Sequence, residues 1–154
     1  METNFSRHLH CPLPPAELWK QFSSALRYSR AHSFWPNQLK ETRCHRLKEG
    51  GKIHSVYHTP LADFPVTYRI SAHDPARFTL SYETTEDHPL EGHASIIVTA
   101  DPSGGSRLSW EGRYTYPWHS PAGLFLRSYF LPRFFPALKE GLAHLPARPR
   151  RNAA

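Results

Sequence analysis

Ser120-Pro-Ala-Gly-Leu-Phe-Leu-Arg-Ser-Tyr-Phe-Leu-Pro-Arg-Phe-Phe-Pro-Ala-Leu-Lys-Glu-Gly-Leu-Ala-His-Leu145 is the one stretch of this sequence with the length and apolar content of a long helix. It follows a series of short alternating segments that has no comparable helix inside it. A sheet built from consecutive hairpins has one face to cover, and a single late helix rich in Phe, Tyr and Leu is a natural cover. The order of elements therefore predicts an α+β fold in which a terminal helix lies on an antiparallel sheet, with room for a hollow beneath it.

The helix carries an internal conflict. At helical spacing Ala122, Phe125, Leu126 and Tyr129 share one side, whereas Leu131, Phe134, Phe135, Leu138, Leu142 and Leu145 share another, nearly opposite. The change of side falls at Pro132, with Pro136 one turn later. Proline lacks an amide hydrogen and its ring crowds the carbonyl four residues back, so a bend or break is expected there. The alternative is that one short helix ends at Pro132 and another starts at Pro136.

Upstream of the helix, the period of two is plain. Leu108, Trp110, Tyr114 and Tyr116 alternate with Arg107, Ser109, Glu111 and Arg113, and Asp101-Pro-Ser-Gly-Gly105 closes the hairpin before them. Ala94, Ile96, Val98 and Ala100 form the preceding covered face, after a turn at Glu86-Asp-His-Pro89. Phe78, Leu80 and Tyr82 alternate after a turn at His73-Asp-Pro-Ala76. Phe64, Val66, Tyr68 and Ile70 do the same, and Lys52 to Thr59 sets Ile53, Ser55 and Tyr57 on one face. Glu49-Gly-Gly-Lys52 is a tight turn, where paired glycines supply positive φ angles. Between Gln38 and Leu47 the pattern is polar, and alternation does not decide which face is inside.

At the N-terminal end Phe5, Leu9 and Cys11 alternate with Ser6, His8 and His10, giving a first strand with its histidines on the opposite face. Pro12, Pro14 and Pro15 end it. Leu18, Trp19, Phe22 and Leu26 then follow helical spacing, and a brief further turn is expected between Tyr28 and Pro36.

Composition bounds the class. The 154 residues, 39% hydrophobic and 13% aromatic, suit one domain over residues 1–146. The formal charge is +6, and Arg148, Arg150 and Arg151 place part of it in a basic, disordered tail, residues 147–154. The other cations are dispersed, without a basic helix or a stacking platform, so no specific nucleic acid is expected. No apolar run is long enough to span a membrane. The first residues lack a secretory pattern, and a cytoplasmic location is expected. Cys11 and Cys44 are too few for a disulfide framework. Among the 11 histidines no His-Glu-x-x-His, and at the cysteines no Cys-x-x-Cys, supplies a ligand set, so neither metal nor cofactor is expected.

Three motifs carry a resemblance. Leu9-His-Cys-Pro-Leu-Pro-Pro-Ala-Glu-Leu-Trp19 is similar to the strand-to-helix transition of the START and Bet v1-like (SRPBCC) superfamily, in its polyketide cyclase/dehydrase-like branch. Asp74-Pro-Ala-Arg-Phe-Thr-Leu80 is similar to that branch's Asp-Pro-Pro-Arg turn, and Gly104-Gly-Ser-Arg-Leu-Ser-Trp110 to its Gly-Gly-Thr-Arg-Val-Thr-Trp hairpin. The resemblance covers residues from about Phe5 to Leu145. It implies a helix-grip fold, with about seven strands in β-α-α-β6-α order curved around the C-terminal helix. It further implies an apolar cavity that takes lipids, polyketides or quinones, and in some members cyclisation or dehydration. Pro132 and Pro136 depart from the family pattern.

The candidate site follows from the inward phases. Tyr57, Tyr68, Tyr82, Leu108, Trp110, Tyr114, Phe125 and Tyr129 are the expected ligand-binding residues, the phenols to orient and the rest to desolvate. The same aromatic residues could instead fill a core and bond one another. No catalytic residue is assigned, because the placeable acids, Glu111 among them, fall on the outer phase. The expected partner is a hydrophobic small molecule, bound by a monomer or weak homodimer. A cyclase, aromatase or dehydratase using the same cavity is the alternative, and a protein-interaction domain with a vestigial cavity a third. An inward ionisable side chain would favour the enzyme; a void of a few hundred Å³ would favour ligand binding over the third reading.

Overall fold

The computed structural model describes residues 1–28 and 34–145. Seven strands form one antiparallel sheet: β1 (Glu2–Cys11), β2 (Leu39–Cys44), β3 (Lys52–His58), β4 (Asp63–Asp74), β5 (Thr79–Thr84), β6 (Glu91–Ala100) and β7 (Ser106–Thr115), in the order β1-β7-β6-β5-β4-β3-β2. Strands β2 to β7 thus follow one another as hairpins, and β1 returns to pair with β7 along its whole length. The sheet curls into a half-barrel with the long C-terminal helix against it, a helix-grip-like α+β fold. The second short helix of the expected order and the basic tail fall on residues outside those described.

Helix α1 (Pro15–Arg27) begins with proline in its first turn, where the missing amide would have had no helical partner. It buries Leu18, Trp19, Phe22, Ala25 and Leu26, and packs against β2, β6 and β7. The concave side of the sheet, α1 and the C-terminal helix share one apolar core.

Most strand faces agree with the alternation. Phe5, Leu9 and Cys11 are buried, as are Val66, Tyr68, Ile70, Leu80 and Tyr82. The exception on β6 is Ala100, expected on the covered face but exposed where the strand ends. In β2 the buried residues are Leu39, Thr42 and Cys44, and the register with β3 shifts between Leu39 and Glu41. That irregularity changes the phase partway along the strand, which is why alternation alone left its inner face undecided. At the β2–β3 turn only Gly50 has a positive φ, +87°. Gly51 is required for space instead: a Cβ there would stand 1.9 Å from the Arg46 carbonyl oxygen.

The C-terminal helix does not split at its prolines. Helix α2 (Pro121–Phe125) is capped by Ser120, whose hydroxyl accepts from the Gly123 amide at 3.1 Å. A π-helical segment, Leu126–Phe130, follows directly and leads into α3 (Leu131–Ala143), with Pro132 in the first turn of α3 and Pro136 inside it. Within the π segment the Leu131 amide donates to the Leu126 carbonyl, five residues back. The added residue in that turn moves the buried positions from Leu126 to Leu131, after which Phe135, Leu138 and Leu142 continue at helical spacing. The conflict between the two apolar stripes is thereby resolved within one continuous helix.

Candidate ligand-binding site

The inward side chains of the sheet and the underside of the C-terminal helix enclose a void of about 90 Å³. Its size is well below the roughly 300–1,000 Å³ of ligand clefts, because aromatic walls occupy most of the hollow. Residues of β3, β4, β5 and β7 supply one side: Tyr57, Tyr68, Tyr82, Trp110 and Tyr114. Phe125 and Phe130 supply part of the other, with Phe125 edge-on to Phe64 at 5.7 Å and Phe130 edge-on to Tyr57 at 5.1 Å. Gly123 lets the helix start sit closely on β7's end, since a Cβ there would be 2.1 Å from the Tyr116 ring.

Six of the expected site residues, Tyr57, Tyr68, Tyr82, Trp110, Tyr114 and Phe125, come together on this void. Two do not. Leu108 is fully buried and paired across the sheet with Leu9 and Val98, away from the void. Tyr129 lies on the helix flank, stacked on Phe125 at 5.1 Å, with the Arg133 guanidinium 4.2 Å from its ring centre. Tyr116, also on the inward phase, bonds through its hydroxyl to Thr3.

The polar groups of the void form a connected set. The Tyr57 and Tyr68 hydroxyls meet at 2.9 Å, and the Trp110 indole N–H donates to the Tyr82 hydroxyl at 3.1 Å. The Tyr114 hydroxyl interacts with those of Tyr82 and Tyr68. Burial pushes the Tyr57 phenol up to about 12. Burial likewise holds Tyr68, Tyr82 and Tyr114 well above the ordinary phenol range, with mutual repulsion of their charged forms as the next cause. All four are therefore neutral hydroxyls near neutral pH, able to give or accept one proton each.

The sequence reading missed His88. Treated there as a turn residue, it lies in the β5–β6 loop with its ring against the void, 5.1 Å from the Tyr68 ring and stacked 6.4 Å from that of Tyr114. Its Nδ1 accepts the Leu90 amide proton at 3.0 Å. Its Nε2 is buried without a partner. Burial lowers its pKa to about 4. The one available signal was the length of the connection: a loop spanning 85–90 exceeds what a tight hairpin needs and has residues free to fold inward. No carboxylate, lysine or arginine lines the void among the described residues, and Glu111 is exposed on the outer face.

The curled sheet with its terminal helix over an aromatic void defines a helix-grip-like fold. Residues 2–148 match the family described as polyketide cyclase / dehydrase and lipid transport, and the chain belongs to that family. Comparison with curated proteins finds no match. Among solved structures, the chain is similar to the Zhui aromatase/cyclase from Streptomyces, with TM-score 0.70, 13% identity, and 96% of this chain and 98% of that chain covered. It is similar also to norcoclaurine synthase from Thalictrum flavum, solved as a point mutant with a transition-state analogue (TM-score 0.64, 10% identity, 94% of each chain). A third is the Bet v1 homologue Ara h 8.0201 (TM-score 0.61, 16% identity, 92% and 98%). At such identities the likeness is one of fold. No helix among the described residues is long and apolar enough to cross a membrane.

Proposed function

We propose that this protein binds an apolar or aromatic small molecule, of lipid, polyketide or quinone type, between the sheet and the C-terminal helix. Tyr57, Tyr68, Tyr82, Trp110, Tyr114 and Phe125 contact it. The observation that carries the reading is the composition of the void: aromatic walls with neutral hydroxyls set among them and no charged side chain. Family membership supports a small hydrophobic ligand in general terms. Because the void measures about 90 Å³, a guest larger than a single ring enters by displacing aromatic walls, the π segment and the 85–90 loop being the irregular elements beside it. The protein works as a monomer or weak homodimer in the cytoplasm, as one unit over residues 1–146, without nucleic acid.

A second reading, a cyclase, aromatase or dehydratase acting in the same place, is favoured by one observation. His88 is the inward ionisable side chain that such chemistry requires. Native mass spectrometry of protein purified without denaturation separates binding from no binding. A retained hydrophobic adduct is expected, and protein that is empty after every preparation and after incubation with candidate ligands would contradict both readings.

A further inference from the structure

The linked hydroxyls of the void leave one proton over, and His88 presents a second. In the linked set Tyr57, Tyr68, Tyr114, Tyr82 and Trp110 each contact consumes one proton, and the set has one fewer contact than it has donors. At least one phenolic proton therefore has no acceptor within it. His88 adds another. With Nδ1 occupied as an acceptor by the Leu90 amide, the proton of the neutral ring resides on Nε2, and that N–H is buried with no partner. His88 touches two members of the linked set, its ring 5.1 Å from that of Tyr68 and stacked 6.4 Å from that of Tyr114. A buried donor without a partner is unfavourable unless water or a bound molecule satisfies it.

We propose that the His88 Nε2–H and the adjoining phenol cluster form an oxyanion-free carbonyl subsite, which selects among apolar guests for those bearing a ketone or quinone oxygen. The inference rests on the binding function proposed above and names its ligand class. In the unliganded protein a water molecule can take the same protons; a carbonyl replaces it without leaving either donor bare, whereas a hydrocarbon of equal shape leaves both bare. The absence of a lining carboxylate removes any counter-charge for a cationic guest.

The test uses an isosteric pair, 2-acetonaphthone and 2-isopropenylnaphthalene, which differ by C=O against C=CH2. Titration of the full chain by tryptophan fluorescence is expected to give roughly tenfold tighter binding of the ketone, the scale of one net hydrogen bond. In His88→Leu the ketone-to-alkene ratio is expected to fall severalfold, the phenol proton remaining, and His88→Gln, which keeps an N–H donor, to restore part of it. The infrared carbonyl stretch of bound 2-acetonaphthone is expected at lower wavenumber in the wild type than in His88→Leu. Equal binding of the two probes by the wild type, or a ketone preference undiminished in His88→Leu, would overturn the carbonyl subsite and leave the binding function standing. Failure of both probes to bind at all would overturn the binding function itself, and this proposal with it.

Discussion

The indole N–H of Trp110 donates to the hydroxyl of Tyr82 at 3.1 Å, joining β7 to β5 across β6 in the floor of the void. Both side chains are buried. In Tyr82→Phe the ring volume stays but the indole loses its acceptor. A buried donor left bare costs about 1–3 kcal/mol. Urea denaturation is expected to show that loss with an unchanged slope; a change within about 0.5 kcal/mol, the range of surface substitutions, would contradict the assignment.

Pro136 is exposed, inside α3, and leaves the Pro132 carbonyl without its helical donor. Pro136→Ala restores that amide and relieves the ring's crowding. A gain of about 1–3 kcal/mol is expected, seen as a higher Tm. An unchanged or lower Tm would contradict a cost from the unpaired Pro132 carbonyl and the crowded ring.

His88 gives the pH dependence a definite sign. Its folded pKa, lowered to about 4 from an ordinary 6.5, keeps it neutral while the unfolded chain takes up a proton. Its contribution is complete above about pH 6.5 and is lost as pH falls toward 4. Burial lowers His73 as well, in the same direction. His88→Leu is therefore expected to flatten part of the stability loss between those limits. The lowered carboxyls of Asp63 and Asp101 act in a more acid range, as pH falls below their ordinary 3.8. A stability profile identical in wild type and variant across pH 4 to 6.5 would contradict the burial of His88.

The sheet's faces were legible because a half-buried strand must alternate, and β3, β4, β5 and β7 carry Tyr57, Tyr68, Tyr82, Trp110 and Tyr114 on the inward phase. Legibility failed wherever the backbone changes period. The β2 irregularity at Leu39 and Glu41 and the π segment before Leu131 each shift a phase that sequence spacing treats as constant. Leu108 has the correct phase but the wrong level, since alternation gives a residue's face and not its height along the strand. Tyr129 was misplaced by the helix register. His88 had no periodic signal, being in a loop whose inward fold is fixed by tertiary packing.

A guest molecule is proposed to occupy the void between the sheet and the C-terminal helix. Ala122→Trp tests it most directly, because Ala122 lines the void from the helix side and a larger side chain there competes with a guest for the same space. Binding of the apolar fluorophore N-phenyl-1-naphthylamine is to be titrated in wild type and variant, with circular dichroism as the check on folding. Saturable, blue-shifted binding to the wild type and its loss in folded Ala122→Trp is the expected result. Equal binding to both proteins, or none to the wild type, would contradict an internal site.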